Sequence, residues 1–363
     1  MGNKMRVGII FGGKSGEHEI SLMSATSILR AMDPNKYDTL LIGITKKGEW
    51  LLYDGPIDLI ETGEWERIAR EQMKKDPDTY RFSVVGTSFY LKEQVDVLFP
   101  VLHGPFGEDG TIQGLFEMAD IPYVGAGVLA SSTGMDKVIA KKLFKQAGLP
   151  VSDFLMFLRN QIEENSADCI KQIEAHLNYP VFVKPANLGS SVGITKARNR
   201  EELLYALETA AKYDRKIIVE ASVNCREIEC AVLGNEEPKA SVVGEILPSN
   251  EFYDYQAKYL DDGKSKLCIP ADIPEEKAEE IRRMAIQVYK TIDCAGLARV
   301  DFFLEKETMK VYVNEINTMP GFTKYSMYPL LWEATGLPYS KLIDRLIALA
   351  LERYEDKKRN RIR

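Results

Sequence analysis

A chain of 363 residues is long enough for two or three domains and a substantial core. Acidic side chains outnumber basic ones, 54 to 47, and the densest basic run, residues 357–363, forms a solvated end, which excludes the cationic stripe that nucleic acid requires. Five cysteines, an odd number without C-x-x-C spacing, argue against a disulfide framework and fit a reducing cytoplasm. No apolar run approaches membrane-spanning length, and the first strand begins at Arg6, too early to leave room for a signal peptide. Met1-Gly2 is not a myristoylation signal, because Arg6 stands where Ser or Thr is needed.

Strands over 6–11, 39–45 and 95–102 alternate with helical stretches such as 20–32, the pattern of an open parallel sheet covered by helices and ending near Tyr123. Within the first strand, Gly8-Ile9-Ile10-Phe11-Gly12-Gly13-Lys14-Ser15 satisfies the P-loop letters, but residues 8–11 read as strand interior, where a P-loop needs a loop. His103 and Glu108 flank glycine-rich turns, and a polar loop residue there is a site candidate. Gly125-Ala126-Gly127-Val128-Leu129-Ala130 matches a dinucleotide pattern without its βαβ context and reads as a turn between domains.

The second block predicts a helix over 136–148, a strand over 180–185, a glycine-serine turn over 189–193, a strand over 194–197 and an amphipathic helix over 201–212. Lys184, followed by Gly189-Ser190-Ser191-Val192-Gly193, predicts a hairpin flap whose amides and hydroxyls close on phosphate. Phe182 shares the strand face of Lys184 and is a candidate wall for adenine. Glu220 and Glu227 bracket a strand end in which backbone groups such as those of Ala221 and Val223 can read adenine and a carboxylate can hold ribose.

The third block runs from a strand at 216–220 through 227–233, a polar excursion over 249–270 that reads as a water-excluding lid, and a helix over 274–291, to a final helix over 339–354. Between those helices, strands over 297–304 and 310–317 put Arg299 with Asp301, and Glu315 with Asn317, on strand faces. Carboxylate and amide oxygens without thiolate or imidazole predict Mg2+ or Mn2+ working on phosphates. A solvated polar hairpin is the plainer alternative, but it gives no reason for Arg-x-Asp, Glu-x-Asn and Met319-Pro320-Gly321 to fall in one short stretch.

Taken together, Lys184 with the 189–193 loop, Glu220, Glu227, Arg299-x-Asp301 and Glu315-x-Asn317 resemble the ATP-grasp enzymes. Phe11-Gly12-Gly13-x-Ser15-x-Glu17-His18-Glu19, His103-Gly104 with Gly107-Glu108-Asp109-Gly110, Met135-Asp136-Lys137, residues 253–259 and Pro320-Gly321-Phe322-Thr323 narrow the resemblance to the D-alanine:D-alanine ligases over nearly the whole chain. The resemblance implies a mixed α/β and α+β chain: an N-terminal α/β substrate domain (1–123), a central ATP-grasp subdomain with the phosphate flap (124–213) and a C-terminal subdomain with lid and metal site (214–363).

It also implies roles. Lys137, Lys184 and Lys258 match phosphate-binding lysines, Glu227 a ribose ligand, and Asp301, Glu315 and Asn317 the holders of two Mg2+ ions. Arg299 and the Gly321 amide match the groups that stabilise a tetrahedral intermediate. Glu17 matches the holder of the first substrate's ammonium, joined to Ser190 and Tyr259 as a clasp, whereas Ser326 and Met327 match the pocket of the second. ATP and D-alanine are the implied substrates, and a homodimer the implied assembly. His18 reads as support and His176 as a surface residue. Lys324-Tyr325 departs from a fixed family pattern and bears on the second pocket. The competing expectations are a ligase making D-alanyl-D-lactate or D-alanyl-D-serine, and a nucleotide-binding regulator without turnover, against which the complete Arg299, Asp301, Glu315 and Asn317 set argues.

Overall fold

The computed structural model describes residues 4–80, 91–247 and 266–361, and their strands form three sheets. The apolar runs of the first block become β1 (Met5–Gly12), β2 (Tyr37–Ile44), β3 (Trp50–Tyr53) and β4 (Val97–Val101), in the order β3-β2-β1-β4. Val7, Ile9, Ile10 and Phe11 have no exposed surface, as expected of a central parallel strand covered on both faces. The sheet is not wholly parallel: β1 runs parallel to β2 and β4, but β3 returns antiparallel to β2. Only residues 45–49 separate β2 from β3, too few for a crossover and enough for a hairpin. Tyr123 adds a parallel bridge to Leu98. Gly127 then caps a helix at Val128–Met135, so the segment read as an interdomain turn leads directly into a helix.

The second sheet contains β5 (Phe154–Leu158), β6 (Val181–Pro185), β7 (Thr195–Ala197) and β8 (Lys216–Ala221), ordered β5-β8-β6-β7. The sequence reading put the 216–220 strand in the third block; instead it pairs antiparallel with both β5 and β6. Ile217, Ile218 and Val219 are fully buried, so this strand needs neighbours on both sides, and β5, unread in the sequence, supplies one of them. The third sheet, β11-β10-β9-β12-β13, is antiparallel and consists of β9 (Cys225–Gly234), β10 (Lys239–Leu247), β11 (Lys266–Cys268), β12 (Gly296–Glu305) and β13 (Val311–Asn317).

Two helices fix the site's surroundings. The helix Glu275–Thr291 buries Ile281, Met284, Ala285 and Val288, spaced for one helical face, in the core under the third sheet. The helix Tyr339–Lys357 does the same with Leu342, Ile343, Leu346, Ile347 and Ala350, but in the core shared with Val7, Ile9, Phe11 and the helix His18–Ala31. Its Asp344 takes Lys36 at 2.7 Å and Tyr37 at 2.8 Å, so the chain's two ends meet beside the first sheet. No helix among the described residues is long and apolar enough to cross a membrane.

Candidate active site

The hairpin of β12 and β13 pairs Asp301 with Glu315 and Arg299 with Asn317, the juxtaposition read from the sequence. The register also brings Glu229 of β9 opposite Asp301, which makes a row of three carboxylates across three strands. Like charges facing across strands repel, and this row has two cations against it. Arg299 forks onto Asp301 through Nε and Nη2, both at 2.7 Å, and its Nε also lies 2.9 Å from Glu229. Lys137 stands 3.4 Å from Glu315 and donates at 2.7 Å to the Leu188 carbonyl at the start of the flap. Burial works against the Arg299 charge, but Asp301 and Glu229 outweigh it and hold the guanidinium well above its ordinary pKa.

The donor chemistry fits a hard divalent cation, since three carboxylates face one guanidinium and one ammonium. Asp301 and Glu315 are here turned toward Arg299 and Lys137, and Asn317 Oδ1 accepts from the Met319 amide at 3.0 Å; no cluster of three His, Cys, Asp or Glu converges among the described residues. Carboxylate oxygens carry further lone pairs, so a cation can be added to these contacts.

On the facing sheet, β6 and β7 form the flap hairpin, with Phe182 opposite Lys196. Ser190 and Ser191 both have positive φ, 51° and 58°, a backbone that non-glycine residues adopt at a cost and that turns the flap tip. Behind the flap Lys184 pairs with Glu220 at 3.0 Å, and Phe182 lies 6.0 Å from the Lys184 ammonium. Sequence reading missed Lys141, a fully buried lysine 3.5 Å from the other Glu220 oxygen and 3.3 Å from Ser152. Its lysine-at-i+4 spacing from Lys137 on one helix was the available signal. Burial lowers the Lys141 pKa; the same burial opposes the Glu220 charge, but Lys141 and Lys184 keep that carboxyl below its usual range. Ala221 ends β8, its amide bonded to the Asp153 carbonyl at 2.9 Å; Val223 lies in the link to β9 and Glu227 in β9 itself, opposite Phe303.

Glu17 caps the helix His18–Ala31 at the end of the β1 loop, which turns at Gly12 (φ +90°), where a Cβ would meet the Ile44 carbonyl at 2.2 Å. Across the gap Ser190 donates to the Glu17 carboxylate, joining first sheet to flap. Tyr259, the third member read for this clasp, Lys258 and most of the 249–270 excursion lie outside the described residues. Beside Glu17 is Glu108, buried; its Oε1 accepts from the Gly104 amide at 2.8 Å, and its buried Oε2 has no hydrogen-bond partner among the described residues.

His103 donates from Nδ1 to the Met319 carbonyl at 2.9 Å, and Ser24 accepts from the Phe322 amide at 3.2 Å while approaching His103 Nε2 at 3.4 Å. Burial lowers the His103 pKa, so the ring is neutral and works as a strut for the 319–322 loop. Ser24 is a further residue that the sequence did not single out. Gly321 follows on that loop, with Ser326 Oγ 2.9 Å from where its Cβ would be. Ser326 Oγ accepts from the Thr323 amide at 3.0 Å, and Met327 is packed into the core against Gly244, so the Met327 side chain faces the core here rather than an open pocket. His18 holds the Gly13 carbonyl at 2.8 Å, and His176 lies exposed on its helix.

Burial, and next the Glu17 charge, push Glu108 up to about 8. A carboxyl held protonated in the fold binds more protons than the unfolded chain between the ordinary range and about 8, so stability falls as pH rises through that window. Thermal melts from pH 5 to 9 should therefore show wild type losing Tm relative to Glu108→Gln; parallel curves would remove this assignment.

The family models for the D-ala D-ala ligase N-terminus and C-terminus match residues 6–126 and 143–348. A D-alanine–D-alanine ligase of Acetivibrio thermocellus is 55% identical over 98% of both chains, and one of Thermoanaerobacter sp. is 56% identical over 98% of both. Among solved structures, the VanG D-Ala:D-Ser ligase of Enterococcus faecalis superposes with a TM-score of 0.83 at 39% identity, covering 96% of this chain and 100% of that one. The D-alanine-D-alanine ligase of Coxiella burnetii gives 0.81 at 34% identity, covering 98% and 97%. The fold is thus an ATP-grasp fold preceded by a mainly parallel N-terminal sheet, and the chain belongs to the D-alanine–D-alanine ligase family.

Proposed function

We propose that the protein joins two D-alanine molecules into D-alanyl-D-alanine at the expense of ATP, supplying a peptidoglycan precursor in the cytoplasm, and that it works as a homodimer. The observation that carries this reading is the arrangement of a carboxylate row and Arg299 facing a lysine-lined flap, with Glu17 bound to the flap tip. ATP lies between the second and third sheets. Phe182, Ala221 and Val223 frame adenine, Glu227 holds ribose, Glu220 aligns Lys184, and Lys137, Lys184, Lys258 and Ser191 meet the phosphates. The proposed units are an N-terminal one over 1–123, a central flap unit over 124–213 and a C-terminal one over 214–363, and the pairing of β8 with β5 and β6 is a reason to carry the second boundary past Ala221.

Asp301, Glu315 and Asn317 hold Mg2+ or Mn2+, as two ions, whose chemistry is to offset charge on the transferring phosphoryl group. Glu17 receives the ammonium of the first D-alanine, and the neighbouring His103 steadies the loop beside it. The carboxylate oxygen of the first D-alanine attacks the γ-phosphorus, ADP leaves, and an acyl phosphate forms under the closed flap, which keeps water away. Ser326 bounds the site of the second D-alanine. Its amine, having lost a proton, attacks the acyl carbon; Arg299 and the Gly321 amide take the charge on the carbonyl oxygen, and phosphate leaves. Phosphate release dependent on both ATP and D-alanine tests this reading, and its absence would favour a nucleotide-binding regulator.

A second reading, D-alanyl-D-serine formation, is favoured by the likeness to VanG. The relatives at 55–56% identity named D-alanine–D-alanine ligase weigh against it. Lys14→Ala should leave the apparent ATP affinity nearly intact, because β1 runs through residues 8–11 and Lys14 lies on the first sheet's loop. Lys184→Ala should weaken ATP clearly and leave Glu220 facing Lys141 alone. Nucleotide titration of the two variants checks the order, and the reverse order would restore the P-loop.

A further inference from the structure

The C-terminal ends of β1 and β4 diverge at the point where the first sheet's strand order reverses, the place where open α/β sheets take ligands. A cavity of ≈ 410 Å³ opens there, within the size range of small-molecule sites. Its walls are apolar: Ile44 and Trp50 on one side, Leu102 at the floor, Ile112 and Leu115 of the helix Thr111–Met118 on the other. None of these side chains has a part in the ligase reading.

Two residues close the mouth. Lys14 lays its stem over Gly48, where a Cβ would come within 2.8 Å of Lys14 Cδ, and places its ammonium 5.1 Å from the centre of the Phe106 ring. Phe106 is 51% exposed and has φ +70°, a conformation that costs a bulky residue energy and marks a ligand clamp where the surroundings maintain it. Among the described lining residues Lys14 carries the full positive charge, and no carboxylate is present. An apolar chamber with one cation at its rim selects a small molecule with an apolar body and one anionic end.

Ser15 and His103 of the cavity lining stand next to Glu17. Ser15 donates to the His103 carbonyl at 2.6 Å and accepts from the Glu17 amide at 3.2 Å, which links the chamber to the candidate active site. The loop carrying Phe106 also supplies the Gly104 amide to Glu108, so an occupant that moves Phe106 pulls on the active-site side of this link.

We propose that this chamber is a second ligand site, taking a small apolar carboxylate whose anionic end pairs with Lys14 and whose body lies among Trp50, Leu102, Phe106 and Leu115. It gives Lys14, the unused residue of the P-loop letters, a function distinct from ATP. Calorimetric titration of the full chain, without ATP, with 3-phenylpropanoate and with its neutral amide tests the site independently of any ligase activity. The carboxylate should bind; the amide, and the carboxylate on Lys14→Gln, should bind about tenfold more weakly; and Leu115→Trp, which fills the chamber, should abolish binding. Saturating D-alanine should not displace the probe, and Lys14→Gln should keep its turnover in the absence of probe. No binding, equal binding of acid and amide, binding retained in Leu115→Trp, or displacement by D-alanine would each overturn the proposal.

Discussion

Glu315→Gln and Asp301→Asn are each expected to remove most turnover at ordinary Mg2+ concentrations while the fold survives. Each substitution keeps the side chain's shape and removes one negative charge from the row formed by Glu229, Asp301 and Glu315. In Glu315→Gln the Lys137 ammonium, 3.4 Å away, also loses its carboxylate partner. An oxygen ligand that must offset phosphate charge is not replaced by a neutral amide. Initial rates across a Mg2+ titration, with circular dichroism as the folding control, measure the effect; near-normal rates at unchanged Mg2+ dependence would refute the metal assignment.

Arg299→Lys is expected to lower kcat by about a hundredfold with little change in the apparent KM for ATP. The guanidinium serves Asp301 through two parallel bonds and Glu229 through a third contact, and it sits in the middle of the row. An ammonium retains the charge but not the planar fork, so it cannot hold both carboxylates and still present a donor to the acyl oxygen. Steady-state kinetics separate the two parameters. A variant within fivefold of wild type, or one that changes KM alone, would put Arg299 outside the chemistry.

Much of this site was legible because its key residues lie on short-range patterns. The two-residue spacings Arg299-x-Asp301 and Glu315-x-Asn317 place side chains on strand faces whatever the rest of the fold does, and the hairpin between them is local. The Lys184 flap was readable for the same reason, since β6 and β7 are separated by one glycine-serine turn. Glu229 was hidden: its partner in the row is about seventy positions away, and only the β9–β12 register shows that it faces Asp301. Lys141 reads as an ordinary surface residue of an amphipathic helix until β8 is seen to pass behind it with Glu220.

The placing of the 216–220 strand in the third block has a similar origin. Its apolar run identifies a buried strand but not its neighbours, and Phe154–Leu158, which pairs with it, is short and follows a proline-containing loop. The packing of Tyr339–Lys357 against the first sheet rests on contacts such as Lys36 to Asp344, which no local pattern encodes. Ser24 and His103 illustrate the same limit at the site, where they tie the first sheet to Met319 and Phe322 through bonds spanning most of the chain.

The choice of second substrate rests on residues 253–259, in which Lys258 and Tyr259 are both present; the resemblance to the D-alanine:D-alanine ligases implies that a depsipeptide-forming member would carry other residues there. An amine must lose a proton before it attacks, whereas a lactate hydroxyl carries no ammonium, so dipeptide formation should rise with pH. The deciding measurement is competition among equal D-alanine, D-serine and D-lactate with ATP near pH 6 and pH 8, with products resolved by mass. D-alanyl-D-alanine should dominate at pH 8 and increase from pH 6; D-alanyl-D-lactate or D-alanyl-D-serine dominating at both pH values would contradict the account.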